Sequence, residues 1–178
     1  MKLIPEVKAL FTFQDYGKRA PIDGVSVLEL RRFGDDGGSM TELARFTAGA
    51  PLAWSDFAMA QLNYSTMAPS VIKAFHVHHR QTDVWFVPPE DRVVLVLVDV
   101  RAGSPTEKIV TKLMLGDGHS RLVRIPPGVA HGCRNVGRET ARIVYMTDVP
   151  FSPEAGVTDE GRLPWDFVGP EIWEPSKD

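Results

Sequence analysis

Cysteine is nearly absent. Cys133 stands alone in 178 residues, which excludes an internal disulfide framework. Long apolar runs are missing too: none approaches the roughly 18 residues of a membrane-spanning helix, so no membrane partner is expected. The longest run, Val93–Val98, has the length and β-branching of a buried strand. Neither sign of charge dominates. Twenty Lys and Arg face 23 Asp and Glu, a net charge of −3, so no general electrostatic case for nucleic acid exists, although a local basic patch could hold a phosphate. Met1–Leu10 carries no secretory leader, and the chain reads as cytoplasmic. Repeats and low-complexity linkers are also lacking. One domain over 1–178 is expected, with a core at about 25–150 and an extension at 151–178.

What is present is a series of short β-rich runs broken by turn residues. Val25–Phe33 reads as a strand stopped by Gly34-Asp35-Asp36-Gly37-Gly38. Met40–Phe46 reads as a short helix. Strand-like runs follow at Ala58–Thr66, Val71–Val77, Asp83–Val87, Arg92–Arg101, Lys108–Leu115, Arg121–Ile125 and Ala141–Thr147. Strands at this spacing predict an all-β sandwich or barrel, and closing sheets on each other protects their edges. Pro150–Asp178 lacks a strand-series pattern and is expected to wrap the outside or cover the mouth.

Three of the five histidines fall at 76, 78 and 79. On a strand His76 and His78 share one face, while Phe75 and Val77 point the other way. A second cluster is Pro126-Pro127-Gly128-Val129-Ala130-His131-Gly132-Cys133-Arg134-Asn135. There Pro-x-Gly makes a tight turn that delivers His131 to the start of a strand. Two chemistries can use such imidazoles with the nearby Asp83: a mixed nitrogen and oxygen metal site, or proton transfer by a free histidine. His79 and His119 read as solvated surface residues.

Pro126, Gly128, His131 and Asn135 resemble the second motif of the cupin superfamily, and His76, His78 and Asp83 resemble its first, with Asp where Glu is usual. More widely, the chain resembles the dTDP-4-dehydrorhamnose 3,5-epimerase family. The likeness runs in order through Phe33-Gly34-Asp35, Gln61-Leu62-Asn63-Tyr64-Ser65, Lys73–His76, Gln81, Val98–Arg101, Ser104-Pro105-Thr106, Ile125–Gly132, Val144-Tyr145 and Ser152-Pro153-Glu154. It implies an all-β cupin jelly-roll barrel with short helices and a C-terminal wrapping segment. It also implies a cofactor-free epimerase of a nucleotide-linked 4-keto sugar, commonly a homodimer. His76 would be the base and Tyr145 the acid. Gln61, Asn63, Lys73, His131 and Glu42 would bind substrate. Asp83 stands where the family carries a lysine that stabilises the enolate, and Gly37 where relatives place an arginine near the pyrophosphate. Relatives orient the base with a carboxylate from a longer C-terminal segment; Asp166 and Asp178 are the nearest counterparts, and spacing places neither.

Three functions stay open on these residues. The first is the epimerase with His76 and Tyr145. The second is a metal-dependent cupin enzyme holding one divalent transition metal on His76, His78, Asp83 and His131. The third is a sugar-nucleotide-binding module without chemistry.

Overall fold

A computed structural model describes residues 2–13, 21–47, 50–51, 53–154 and 157–175. In chain order its elements are a short helix, α1 (Pro5–Lys8), then β1 (Ser26–Glu29), β2 (Arg32–Asp35), β3 (Gly38–Thr41), β4 (Phe46–Thr47), β5 (Ala50–Pro51), β6 (Gln61–Met67), β7 (Ile72–His78), β8 (Asp83–Phe86) and β9 (Arg92–Asp99). There follow β10 (Val110–Gly116), β11 (Arg121–Ile125), β12 (Val129–Asn135), β13 (Ala141–Thr147), β14 (Glu160–Arg162) and a 3-10 turn at Pro170–Trp173.

Two five-stranded antiparallel sheets carry the molecule. Sheet I runs β1-β11-β8-β13-β6, and sheet II runs β10-β9-β12-β7-β14. Among the described residues no hydrogen-bonded ladder joins them. The expected jelly-roll barrel is therefore corrected to two open sheets stacked face to face. The physical reason is that alternation of apolar and polar residues says which side chains face inward, not which strand edges pair. Burial between stacked sheets is achieved without closure.

The apolar run in β9 shows how the layers work. Val93, Leu95 and Leu97 enter the core between the sheets, beside Trp85, Val123, Ile125 and Ile143. Val94, Val96 and Val98 face outward, against Phe75, Ala130 and Trp173. Buried on both faces, the strand reads as a continuous run, and each such side chain contributes about 1.5–3 kcal/mol. The C-terminal extension makes that second burial possible. Within it β14 pairs with β7, and Trp173 lies buried with its Nε1 donating to the Trp165 carbonyl at 2.9 Å.

On the outer face of sheet I, Leu43, Ala44, Trp54 and Met59 pack over Phe57, Val84, Phe86, Leu122 and Met146. The helix expected over Met40–Phe46 is absent; the segment ends β3, crosses irregularly and enters β4. So short a helix is marginal alone, and packing Leu43 and Ala44 on the sheet overrides it. The Gly34–Gly38 signal is the turn of the β2–β3 hairpin, where Gly37 N–H donates to Asp35 Oδ1 at 2.8 Å.

Two local features bring the site together. A Cβ on Gly132 would lie 2.3 Å from Ala74 Cβ, so only glycine lets β12 approach β7 at the register shift beside His131. Asp99, fully buried, ends β9 and accepts from Arg101, Ser104 and Thr106 at 2.5–2.8 Å. The Arg101 guanidinium, ahead of every other contact, holds the Asp99 carboxyl well below the usual range. A depressed native value means the contribution is present above about pH 4 and is lost as the pH falls below it. Replacing Asp99→Asn is expected to cost about 3–5 kcal/mol at pH 7 and to flatten the acid limb of stability between pH 4 and 2, measured by urea unfolding.

Candidate functional site

The open space between the sheets forms a cavity of 720 Å³. Sheet I supplies Gln61, Asn63, Asp83, Trp85, Tyr145 and Thr147, and sheet II supplies Lys73, His76, His78, His131 and Cys133. Glu160, Arg162 and Asp159 close it from the C-terminal segment, with Phe151 and Ser152 beside them.

Each histidine is oriented by an oxygen at Nδ1. His76 Nδ1 lies 3.2 Å from Glu160 Oε1, His78 Nδ1 lies 2.9 Å from the Asp159 carbonyl, and His131 Nδ1 lies 3.1 Å from the Val129 carbonyl. A carbonyl can only accept, so His78 and His131 each donate from Nδ1 and turn Nε2 toward the interior. Those two nitrogens converge on one carboxylate: His131 Nε2 is 3.4 Å from Asp83 Oδ2, and His78 Nε2 is 4.0 Å from Asp83 Oδ1. All three residues are buried, and their ligand atoms lie within 4.8 Å of one another. Burial pushes the Asp83 carboxyl upward, but contacts from His131, Trp85 and Gln81 outweigh it and hold it at about 2. Trp85 Nε1 donates to Oδ2 at 2.9 Å and Gln81 Nε2 to Oδ1 at 2.7 Å.

His76 stands just outside this cluster. Its ring stacks on His131 at 6.0 Å between centroids, and Nδ1 is engaged by Glu160, whose Oε1 also accepts from Arg162 at 2.5 Å. Burial first, then neighbouring His131, lowers the imidazole to about 4, so it is neutral near pH 7. Tyr145 faces it from the other sheet, beside Trp85 at 6.1 Å. Burial, with Asp83 and Glu160 adding to it, raises the phenol and keeps it protonated. The site therefore holds a neutral imidazole and a protonated phenol on facing walls.

Of the expected metal set, the structure gathers His78, Asp83 and His131, while His76 is held by Glu160 instead. Gln61 and Asn63 line the cavity and bond each other at 2.7 Å; Gln61 Oε1 also accepts from Phe151 N–H at 2.8 Å. Lys73 Nζ reaches the cavity rim and donates to Ser65 Oγ and the Thr66 carbonyl at 3.1 and 2.9 Å. Glu42 is not brought to this site. It is exposed, pairs with Arg45 at 2.8 Å and borders a separate 250 Å³ pocket on the outer side of sheet I. Gly37 is likewise absent from the cavity lining. Asp166 is exposed, and Asp178 lies outside the described residues. The carboxylate on His76 is Glu160, which no motif in the sequence marks. Gln81, Trp85 and Asp159 are further members that residue spacing does not single out.

Two stacked antiparallel sheets with imidazoles and carboxylates converging between them define a cupin-related enzyme. Comparison with known proteins narrows the class. The family model for dTDP-4-dehydrorhamnose 3,5-epimerase matches residues 19–166. The spore coat polysaccharide biosynthesis protein SpsL of Bacillus subtilis is 38% identical over 145 residues, 82% of this chain and 91% of that protein. The dTDP-4-dehydrorhamnose 3,5-epimerase of Pseudomonas aeruginosa is 33% identical over 137 residues, 76% of this chain and 75% of that one. The crystal structure of a dTDP sugar isomerase from Desulfovibrio desulfuricans G20 superposes with a TM-score of 0.71 at 28% identity, covering 90% of this chain and 94% of that one. The chain belongs to the dTDP-4-dehydrorhamnose 3,5-epimerase family. It is a sugar-nucleotide epimerase or isomerase, divergent from dTDP-4-dehydrorhamnose 3,5-epimerase itself, and the purely binding role gives way.

Cys133 lines the same cavity but is no nucleophile. It is buried, and burial pushes its thiol up to about 12, where little thiolate exists at neutral pH. Native protein at pH 8 is expected to resist alkylation by iodoacetamide for hours and to be labelled once at Cys133 in denaturant, as read by mass spectrometry. Rapid native labelling would contradict the enclosed geometry.

Proposed function

We propose that the enzyme is a metal-dependent epimerase or isomerase of a nucleotide-linked 4-keto sugar, with His78, Asp83 and His131 as ligands and His76 as the base. The observation that carries this reading is the convergence of two Nε2 atoms on the Asp83 carboxylate, both rings being fixed by carbonyls at Nδ1. Donation of the remote ring N–H to a carbonyl is how metal-binding imidazoles are ordinarily oriented. Two nitrogens and a carboxylate suit a divalent transition metal. His78, Asp83 and His131 would hold the cation, and a cation there would supply positive charge to offset the negative charge that develops on a keto oxygen as the neighbouring carbon loses its proton. The lysine that the family is expected to carry at position 83 would bring that charge itself; a carboxylate in its place supports the reaction when it holds a cation.

The remaining steps belong to the chain's own side chains. His76, neutral and oriented by Glu160, takes the proton from the carbon beside the ketone at its free Nε2. Tyr145 delivers a proton from the opposite wall, so the configuration inverts. Gln61 and Phe151, joined by a hydrogen bond, fix the cavity edge against which the sugar rests. Lys73, which lines the cavity, would meet the phosphates as a point charge rather than a fork. The dTDP-linked sugars named for the relatives supply the substrates to try first.

A second reading keeps His76 and Tyr145 but uses no metal. It is favoured by the fact that Trp85, Gln81 and His131 already satisfy Asp83. Deuterium wash-in from solvent at the carbon beside the ketone separates the two. Exchange is expected to fail in chelator-treated enzyme and to return with added divalent metal; exchange indifferent to chelator would sink the metal reading. His76→Ala is expected to lower turnover about 10²–10⁴-fold. Glu160→Gln should lower kcat about 10²-fold with KM little changed, and Tyr145→Phe should block product formation more than the initial exchange.

A further inference from the structure

One more side chain touches the metal-binding cluster, and its backbone is unusually well tethered. Gln81 lies in the turn between β7 and β8. Its N–H and that of Arg80 both donate to Asp159 Oδ2, at 2.8 and 2.9 Å, and the next N–H, that of Thr82, donates to Asp148 Oδ1 at 2.7 Å. The Asp159 side chain is only 7% exposed. Three successive amides are thus pinned by two carboxylates, and the Gln81 side chain leaves a fixed base.

The far end of that side chain lies against ligand atoms of two cluster members. Gln81 Nε2 is 2.7 Å from Asp83 Oδ1 and 3.3 Å from His78 Nε2. Both partners are acceptors, the second because the Asp159 carbonyl fixes the His78 proton at Nδ1. With no cation between them, an NH2 group is what two converging lone pairs require. A side-chain amide, however, presents NH2 or carbonyl oxygen at nearly the same place, depending on one terminal rotation. A cation among these acceptors reverses the preference, since N–H dipoles directed at positive charge are repelled. The amide oxygen is then a hard donor that matches the Asp83 carboxylate.

We propose that Gln81 is a fourth protein ligand of the metal site, with its amide oxygen turned inward when metal is bound and its NH2 turned inward when it is not. The inference rests on the metal reading above and adds to it a residue, a donor atom and a two-state rotamer. The protein then offers two imidazole nitrogens and two oxygens. In the metal-free state the same amide holds His78 and Asp83 in place, so the site is assembled before the cation arrives.

The test is Co²⁺ titration of metal-depleted wild type, Gln81→Ala and Gln81→Glu without substrate, read by calorimetry and by the visible Co²⁺ absorption band. Gln81→Ala is expected to weaken Co²⁺ binding at least about 10–100-fold, the loss that follows disturbance of groups around a metal, and to shift the band. Gln81→Glu, which keeps an oxygen donor, should restore affinity to wild type or better. Both variants should still fold and unfold cooperatively when metal-free, because the backbone tethers do not involve the Gln81 side chain, with melting temperatures lowered by the lost contacts to Asp83 and His78. Unchanged affinity and spectrum in Gln81→Ala would overturn the proposal, as would tighter binding, which would make the amide a mere occupant of the place. Should Gln81→Ala melt prematurely, Gln81→Glu decides alone: a Co²⁺ band identical to wild type overturns the ligand role. Wild type that takes up no Co²⁺ would remove this inference together with the metal reading.

Discussion

Every imidazole in the cavity has Nδ1 against an oxygen acceptor, and the rest of the site depends on that constraint. A ring engaged at Nδ1 has one remaining nitrogen. For His78 and His131 that nitrogen converges on Asp83; for His76 it is the atom proposed as the base. The same residue type thus serves two purposes through what stands behind each ring. Where the acceptor is a main-chain carbonyl, the tautomer is fixed by the fold itself.

The acceptors explain why the C-terminal segment matters. The Asp159 carbonyl and the Glu160 carboxylate are consecutive in sequence and orient two of the three rings. They can do so because β14 adds to the edge of sheet II beside β7, the strand that carries His76 and His78. Residues past β14 then cover the outer face of that sheet and bury Trp173. Packing on the outside of sheet II and proton placement on its inside are therefore linked through one short ladder.

Much of this arrangement is legible in the sequence. The expected limits Arg121–Ile125 and Ala141–Thr147 coincide with β11 and β13, because alternating inward residues and flanking turns agree there. His76 and His78 share the cavity side of β7, as their spacing requires, and the Pro-x-Gly turn delivers His131 opposite them. Sheet closure is not legible, since inward and outward alternation is the same for a barrel and for open stacked sheets. Glu160 is not legible either. A three-residue strand recruited by main-chain hydrogen bonds leaves no periodic signal, and its position depends on β7 being there first. The Met40–Phe46 helix fails for a related reason, a weak local preference yielding to contact with sheet I.

Membership of the family supplies the reaction type, and the proposed metal dependence turns on Asp83. A lone carboxylate would oppose an anionic intermediate, whereas a carboxylate shared by two imidazoles can hold the opposing charge. The most direct test is the transition-metal content of protein purified without chelator or affinity-column metal, measured by mass spectrometry on wild type and Asp83→Ala. About one metal per chain in the wild type and almost none in the variant is the expected result. A metal-free wild type with full turnover would contradict the account and leave His76 and Tyr145 to act without a cation.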